Sequence, residues 1–177
     1  GGAYTQPRAV VTLSPASSVT VAELDPEVTG TAQTSLFVDT AGMDVIHEDA
    51  RRALLLSANT FDVVVGDVFH DVAIPFHLLT REFFELVDAR LAAGGMLAMN
   101  VVDAFPDPRL VKAVLNALRP VFEHTAVWVE TLPSGPTRAT YIITARHDRA
   151  WPAVVNARRG PERDWYRIDE PMHRTGT

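Results

Sequence analysis

One stretch of the sequence predicts a β-strand followed directly by an α-helix: Val19-Thr20-Val21-Ala22-Glu23-Leu24-Asp25-Pro26-Glu27. The apolar and β-branched residues at its start favour a strand. Asp25 then supplies a helix N-cap, Pro26 a proline at the first helical position, and Glu27 an acid in the first turn. The stretch therefore predicts one βα unit, with its helix running from Pro26 to about Leu36.

The same design recurs along the chain. Met43–His47 reads as a second strand, and Asp49 follows it as the N-cap of a second helix. Phe61–Gly66 is a third strand, whose run of valines predicts a central position with both faces buried. Met96–Val102 is the fourth. Strands alternating with helices predict an α/β fold, in which helices cover both faces of a mostly parallel sheet.

Two further helices are expected between and after these strands. Thr80 caps the first of them, which ends at Gly94-Gly95 in a left-handed C-terminal cap. Its apolar residues recur at helical spacing, at Phe83, Phe84, Val87 and Leu91. Asp107-Pro108 repeats the cap-plus-proline start, and this last helix should end before Pro120.

The end of the chain has a different organisation. Thr125–Leu132 and Thr137–Ala145 are strands joined by only four residues, too few for a crossover helix, so they predict a hairpin with an antiparallel edge strand. From Arg146 the composition turns to arginine, proline and glycine. We therefore expect a Rossmann-like domain over residues 1–145 and a loosely packed arginine-rich tail over residues 146–177.

Composition excludes several classes of function. The chain has 177 residues, a formal net charge of −6 and no cysteine. The negative charge argues against nucleic acid or an anionic membrane as partner, since both require clustered cations. Without cysteine there is no disulfide, thiolate nucleophile or zinc ribbon. No apolar run approaches the roughly 18 residues of a membrane span. These features predict a cytoplasmic protein.

Acidic residues follow the predicted strands at the carboxyl ends, where open parallel sheets bind ligands. They are Glu23 and Asp25, Glu48 and Asp49, Asp67, and finally Asn100 with Asp103. Carboxylates in such places suit ribose hydroxyls, an adenine amine or a cationic ligand, and they repel phosphate. We call these residues the acidic rim. A positively charged nucleoside fits the acidic rim better than a dinucleotide does.

A purely structural interpretation applies to some of these acids. Asp25 and Asp49 are also helix N-caps, a role that needs no ligand. Glu23 follows a hydrophobic strand and caps nothing, and Asp67 opens a loop of unusual length, which in compact domains is more often functional. We therefore favour a functional role for Glu23 and Asp67. For His70, Asp71 and His77 in that loop, no regular metal-site spacing is present.

Taken in order, several motifs resemble those of the spermidine synthase-like proteins. These motifs are Gly1-Gly2-Ala3-Tyr4-Thr5, Val19 to Pro26, Glu48-Asp49-Ala50-Arg51, Phe61 to Asp67, and His77-Leu78-Leu79-Thr80-Arg81-Glu82-Phe83-Phe84. The resemblance extends from the first residue to about Ala145. It implies a Rossmann fold of the class I methyltransferase type and aminopropyl transfer from decarboxylated S-adenosylmethionine to putrescine or a related amine.

The resemblance also implies roles for individual residues. Glu23 matches the acid that binds the ribose hydroxyls of the nucleoside co-substrate, and Asp49 the one that contacts adenine. Gly1, Gly2 and Asp25 belong to the same nucleoside site. Asp67 matches the first acid of the family's Asp-Ser-Ser-Asp-Pro segment, which orients and helps to deprotonate the attacking amine, and Asp71 stands for the displaced second acid. No tightly bound cofactor or metal is implied.

Departures from the family pattern leave alternatives open. Ala3 replaces the acid that holds the aminopropyl amine, and Val68-Phe69-His70-Asp71 replaces the residues after the first acid. An S-adenosylmethionine-dependent methyltransferase is therefore the second hypothesis, and a nucleoside-binding relative without catalysis is the third. Because the sequence begins inside the glycine-rich motif, we expect a fragment that lacks the strand before it. Family members usually form homodimers, so the resemblance implies one here.

Overall fold

The computed structural model describes residues 4–67, 75–152, 154–156 and 164–168, with the backbone alone for 154–156 and 164–166. The chain divides into two compact units, residues 1–58 and residues 59–177. The α/β fold class predicted from the sequence is confirmed, with its C-terminal antiparallel hairpin. The expected mostly parallel sheet is instead a parallel two-stranded sheet and a six-stranded sheet of mixed direction.

The first unit contains two strands that pair in parallel and three helices. The strands keep a continuous register from Val19 opposite Met43 to Ala22 opposite Ile46. The elements in chain order are α1 (Thr5–Leu13), β1 (Val19–Ala22), α2 (Pro26–Ser35), β2 (Met43–Ile46) and α3 (Ala50–Leu56). Helix α1 was not predicted from the sequence. Helices α2 and α3 begin at the expected caps. Asp25 accepts a hydrogen bond from Glu27 N–H, and Asp49 accepts from the N–H groups of Arg51 and Arg52.

A small apolar core holds this unit together. Tyr4, Ala32 and Val38 are buried, and Val21, Met43 and Val45 pack against them. Val21 and Val45 are register partners on the two strands, so their side chains share one face of the sheet. The core therefore joins the residue before α1, helix α2 and the same face of both strands.

The second unit is built on a six-stranded mixed sheet with the order β3-β4-β6-β5-β8-β7. Its elements are β3 (Phe61–Gly66), a 3₁₀ turn (Phe76–Leu78), α4 (Arg81–Asp88), β4 (Leu91–Phe105), α5 (Arg109–Leu118), β5 (His124–Val129), β6 (Thr137–Arg146), β7 (Val154–Asn156) and β8 (Asp164–Arg167). Strands β3 and β4 are parallel, while β6 is antiparallel to both β4 and β5. The core consists of the apolar faces of α4 and α5, alternating residues of β4, and consecutive buried residues in the second halves of β5 and β6.

Two strand positions differ from the prediction. Strand β3 lies at the edge of its sheet rather than at the centre, and Val63 and Val65 are 50% and 52% exposed. A valine run signals an apolar strand, but it does not reveal how many neighbours that strand has. The hairpin of β5 and β6 is confirmed, yet its antiparallel strand β6 lies inside the sheet, between β4 and β5.

Helix α4 ends earlier than its periodicity predicts. Thr80 is the N-cap as expected, accepting from Phe83 N–H, and Phe83, Phe84 and Val87 are buried. The helix ends at Asp88, however, and Gly94-Gly95 falls within β4, where the register with β3 shifts. A Cβ at Gly95 would lie 2.9 Å from the Ala92 carbonyl oxygen and 3.0 Å from that of Phe61. The glycine thus serves a close approach of two backbones, not a helix end.

The cap of α5 is supplied by a residue other than the predicted one. Asp107 makes no cap and instead forms ion pairs with Arg109 and Lys112. Val111 N–H donates to Asp103 Oδ2 at 3.0 Å, from the preceding strand. The hydrogen bond from Lys112 and, to a smaller extent, the one from Arg109 lower the pKa of Asp107. Asp103, expected as part of the acidic rim, is therefore a helix-capping residue.

Asp103→Ala should lower the free energy of unfolding by about 1 kcal/mol, the usual effect of losing a side-chain cap. Asp107→Ala is the matched control, because an exposed ion pair typically contributes between about 0 and 1 kcal/mol. Urea unfolding followed by circular dichroism measures both. A larger loss for Asp107→Ala than for Asp103→Ala would show that the cap assignment is wrong.

The described part of the tail is attached to the sheet rather than loosely packed. Strands β7 and β8 extend the sheet beyond β5, and Ile168 N–H donates to the Val127 carbonyl. The Arg146 guanidinium lies 3.7 Å from the centre of the Trp151 ring, and Trp151 Nε1–H donates to the His124 carbonyl. The cation–π contact and the indole hydrogen bond together fix the start of the tail.

Candidate functional site

The acids of the first unit lie at the carboxyl ends of its two parallel strands. Ala22 and Ile46 are partners at the end of the ladder, so the residues after them leave the sheet side by side. The N–H groups of Glu23 and Glu48 both donate to the carbonyl oxygen of Ile46, at 3.0 and 3.1 Å. One backbone oxygen therefore holds the two acidic turns together, as the sequence predicts for this edge.

Most carboxylates at this edge also have structural partners. Asp25 and Asp49 are the N-caps of α2 and α3. Glu48 accepts from Asp49 N–H through Oε1 and pairs with Arg52 through Oε2 at 2.7 Å. Glu23 differs from the expectation that it caps nothing, because its Oε1 accepts from Asp25 N–H at 3.1 Å. This bond occupies one of its two oxygens and fixes the carboxylate beside the turn.

Asp67 and Asn100 form the polar pair of the second unit. Gly66 is the register partner of Met99 in the parallel β3–β4 ladder, so Asp67 and Asn100 are placed next to each other. Asn100 Nδ2–H donates to Asp67 Oδ1 at 3.0 Å, and both residues are half-buried. Asn100 was grouped with the residues at the carboxyl end of the predicted strand Met96–Val102, but β4 continues to Phe105, so Asn100 lies well inside the strand.

Two opposing effects set the pKa of Asp67. Partial burial raises the pKa of the carboxyl, whereas the hydrogen bonds that it accepts, including the one from the Asn100 amide, lower it. The net effect places the pKa below its usual value. Asp67 is therefore an anion at neutral pH, already oriented by a neighbouring side chain.

The amide of Asn100 presents an unused acceptor. Its Oδ1 atom is buried, and among the residues that the structure describes it receives no hydrogen bond. A buried carbonyl oxygen without a donor is unfavourable, and few occur in folded proteins. Because the amide nitrogen is committed to Asp67, the oxygen suits an N–H donor of a bound ligand. The pair therefore combines an oriented carboxylate with a buried amide oxygen that has no donor among the described residues.

Several predicted site residues fall outside the described part of the chain. Gly1, Gly2, Ala3 and Asp71 are among them, so their roles stay predictions. Within the described ranges, no group of three or more His, Cys, Asp or Glu residues could hold a metal ion. In the same ranges, no helix is both long and apolar enough to cross a membrane.

Asn100 belongs to the candidate site but was not among the site residues predicted from the sequence. The available signal was an asparagine inside the otherwise apolar run of Met96 to Val102, near the ends of the predicted strands. A polar amide within a buried strand requires partners, which is a reason to examine it. No such local signal marks the hydrogen-bonded side chains of Tyr4, Thr29 and His47.

Comparison with known protein families gives a match over most of the chain. Residues 1–153 match the spermine/spermidine synthase domain. The chain belongs to the spermine/spermidine synthase family. This membership confirms the resemblance found in the sequence, and Asp67, Glu23 and Asp49 lie within the matched range.

Relatives in this family include aminopropyltransferases. The chain is 31% identical over 100 residues to a "Probable polyamine aminopropyl transferase" of Bifidobacterium longum, covering 56% of this chain and 22% of that protein. It is 28% identical over 143 residues to "Polyamine aminopropyltransferase 2" of Pseudomonas aeruginosa, covering 76% and 41%. The chain therefore spans less than half the length of these two curated relatives.

A solved structure of the family has a similar fold. A probable spermidine synthase from Corynebacterium glutamicum superimposes with a TM-score of 0.72 at 31% identity, covering 82% of this chain and 53% of that one. A structure described as "a putative methyltransferase from Thermoplasma acidophilum", at 15% identity and a TM-score of 0.56, shares the fold alone. The spermine/spermidine synthase family and methyltransferases thus use a common architecture.

Proposed function

We propose that this protein transfers the aminopropyl group of decarboxylated S-adenosylmethionine to putrescine or a related amine. The amine nitrogen attacks the carbon next to the sulfonium, the carbon–sulfur bond breaks, and both of its electrons stay on sulfur. The reacting nitrogen of the substrate loses one proton to solvent before the attack, because a protonated amine has no lone pair. The products are then neutral methylthioadenosine and an alkylated ammonium. Family membership supports the reaction type, and the Asp67–Asn100 pair supports its placement in this chain.

The pair carries the proposal because it suits an amine nucleophile. An anionic oxygen and a buried, unused carbonyl oxygen lie on neighbouring strands, and both accept N–H donors. Two acceptors fix the direction of the nitrogen lone pair, and orientation of reactants contributes strongly to displacement reactions. In this proposal Asp67 is the catalytic residue and Asn100 also contacts the amine.

Asp67 suits orientation and charge stabilisation of the amine, because its carboxylate is held in place by the Asn100 amide. Its negative charge stabilises the positive charge that develops on the attacking nitrogen. We therefore assign to Asp67 the orientation and electrostatic stabilisation of the amine.

Glu23 and Asp49 are proposed to bind the nucleoside part of the donor. Glu23 keeps an oxygen that is not used by the Asp25 N–H bond and suits the ribose hydroxyls. The family resemblance assigns adenine to Asp49, Asp25 and the two glycines to the same site, and Asp71 to the amine substrate. Homodimer formation and the absence of nucleic-acid and membrane partners stay predictions.

A methyltransferase is the second candidate, and Ala3 is the observation that favours it. The acid that selects the aminopropyl amine in the family is absent from that position. S-adenosylmethionine would then be accepted as donor, with methyl transfer to the same nucleophile. The two candidates differ in whether the donor carries a carboxylate.

Calorimetric titration of the full-length protein separates these candidates. We expect methylthioadenosine and decarboxylated S-adenosylmethionine to bind, with S-adenosylmethionine at least about tenfold weaker because its carboxylate meets an acidic rim. Tighter binding of S-adenosylmethionine would favour methyl transfer. Binding of none of the three would overturn the proposal.

A further inference from the structure

Three hydrogen-bonded side chains lead from the interior of the first unit to its acidic strand ends. The Tyr4 hydroxyl oxygen lies 2.6 Å from Thr29 Oγ1, which in turn lies 3.0 Å from His47 Nε2. Tyr4 and Thr29 are 2% and 6% exposed, whereas His47 is exposed. His47 directly precedes Glu48 and Asp49 in the chain. The hydrogen-bonded chain therefore ends at an accessible imidazole beside the acids.

The backbone of Tyr4 shows that its side chain is firmly held. Tyr4 has φ 54° and ψ 26°, the left-handed conformation that favours glycine, and its side chain makes no cap bond to α1. A residue with a Cβ adopts this conformation only where its surroundings stabilise it. Burial against Ala32 and Val38 and the bond to Thr29 provide that stabilisation.

The buried hydroxyl groups determine the direction of the hydrogen bonds. Among the described residues, Thr29 Oγ1 is the acceptor available to the Tyr4 proton, and leaving that proton unpaired in the interior is unfavourable. Tyr4 therefore donates to Thr29, and in the His47 tautomer that accepts at Nε2, Thr29 donates its own proton to the ring. A neutral imidazole that accepts at Nε2 carries its proton on Nδ1.

In this tautomer, Nδ1 of His47 is a hydrogen-bond donor at the exposed end of the hydrogen-bonded chain. Within the described ranges the structure gives Nδ1 no hydrogen-bond partner. The neighbouring side chains of Glu23, Glu48 and Asp49 are carboxylates, which accept but do not donate. A nucleoside has both donors, in its hydroxyls and amine, and acceptors, in its ring nitrogens and ribose oxygens. The carboxylates can satisfy only the donors.

We propose that His47 determines specificity at the nucleoside site by donating its Nδ1–H to an acceptor atom of the adenosine part of the ligand. Thr29 and Tyr4 act through it as positioning residues, because they fix the tautomer and the orientation of the ring. This inference rests on the proposed function, since it needs a nucleoside at the acidic edge. It adds a residue that neither the sequence motifs nor the capping pattern indicates.

His47→Gln is the decisive variant, with methylthioadenosine as the probe. The glutamine amide can still reach Thr29 in place of Nε2 but has no group equivalent to Nδ1. We expect methylthioadenosine to bind about tenfold more weakly, the effect of one lost hydrogen bond. The unfolding midpoint should be unchanged, because the bond to Thr29 is retained. Affinity within twofold of the wild-type value would overturn the inference.

The positioning role is tested at Thr29. Thr29→Val keeps the imidazole but removes its orienting bond, and we expect a loss of affinity of about three- to tenfold. Thr29→Ser should restore wild-type binding. Thr34→Val is the matched control on the same helix, because the Thr34 hydroxyl donates only to the Gly30 carbonyl of α2. A loss in Thr34→Val as large as in Thr29→Val would overturn the positioning role.

Nitrogen-15 NMR of the histidine ring provides a readout that a merely structural residue would not change. We expect the Nδ1-protonated tautomer in the free protein and a shift of the Nδ1 resonance on addition of methylthioadenosine. An Nε2-protonated ring would overturn the inference. Failure of the wild-type chain to bind methylthioadenosine would overturn the proposed function as well, whereas normal binding by His47→Gln overturns the role of His47 alone.

Discussion

Replacing Asp67 by asparagine is expected to lower kcat for aminopropyl transfer by about 10²- to 10³-fold, the range found when one preorganised group that stabilises developing charge is removed. Asparagine has nearly the same shape, so the packing of β3 against β4 is retained. The variant loses the anionic oxygen that orients the amine and stabilises its developing charge. Steady-state kinetics with decarboxylated S-adenosylmethionine and putrescine measure the effect.

Asp62→Asn is the matched control for this variant. Asp62 lies on the same strand, is exposed and takes no part in the proposed site, so kcat should be unchanged. Methylthioadenosine affinity should be the same in both variants, because the nucleoside is assigned to other residues. Wild-type turnover in Asp67→Asn would show that this carboxylate is not catalytic.

The pH dependence of Asp67 follows from the direction of its pKa. A carboxyl whose pKa is lower in the folded than in the unfolded state stabilises the fold above the unfolded pKa, and this contribution is lost as the pH falls through the folded value. The stability difference between wild type and Asp67→Asn should therefore be constant at neutral pH and shrink below the usual carboxyl range. Urea unfolding as a function of pH measures it, and a difference that grows on acidification would contradict the lowered pKa.

Local sequence signals predicted the individual helices and strands better than they predicted which segments lie next to each other in the fold. The caps Asp25, Asp49 and Thr80 were identified correctly because capping depends on residues two or three positions apart. The edge position of β3 was not predicted, since strand order depends on contacts between distant segments. The cap of α5 by Asp103 was missed for the same reason: the acceptor belongs to the preceding strand.

In the candidate site, too, the sequence predicted which residues lie at one sheet edge but not how their side chains are oriented. The proximity of Glu23 and Glu48 followed from the rule that parallel strands end at one edge, and the shared Ile46 carbonyl agrees with it. The orientation of individual side chains was beyond such a rule. Thr29 and His47 are 18 positions apart in the sequence, and Asp67 and Asn100 are 33 apart. Only the folded chain reveals which oxygen of each side chain is already used.

Glu23→Gln is expected to weaken methylthioadenosine binding by about 30- to 100-fold. Hydrogen bonds from ribose hydroxyls to a carboxylate are charge-assisted and contribute about 1.5–3 kcal/mol each, and roughly 1.4 kcal/mol corresponds to a factor of ten in Kd. Glutamine keeps a carbonyl oxygen for the Asp25 N–H that Glu23 Oε1 now binds, so the turn after β1 should remain folded. Calorimetry measures Kd, and thermal unfolding verifies that the fold is retained.

A ligand without the 2′-hydroxyl isolates the contact itself. Methylthio-2′-deoxyadenosine should bind wild type more weakly than methylthioadenosine, and Glu23→Gln should discriminate between the two ligands much less than wild type does, because the group that recognises the hydroxyl has lost its charge. Glu27→Gln is the control: it removes a carboxylate from the first turn of the same helix, and it should retain wild-type affinity and discrimination. Equal discrimination in Glu23→Gln and wild type would mean that the carboxylate acts on the ligand only through its general negative field, and the ribose assignment would be wrong even if affinity fell.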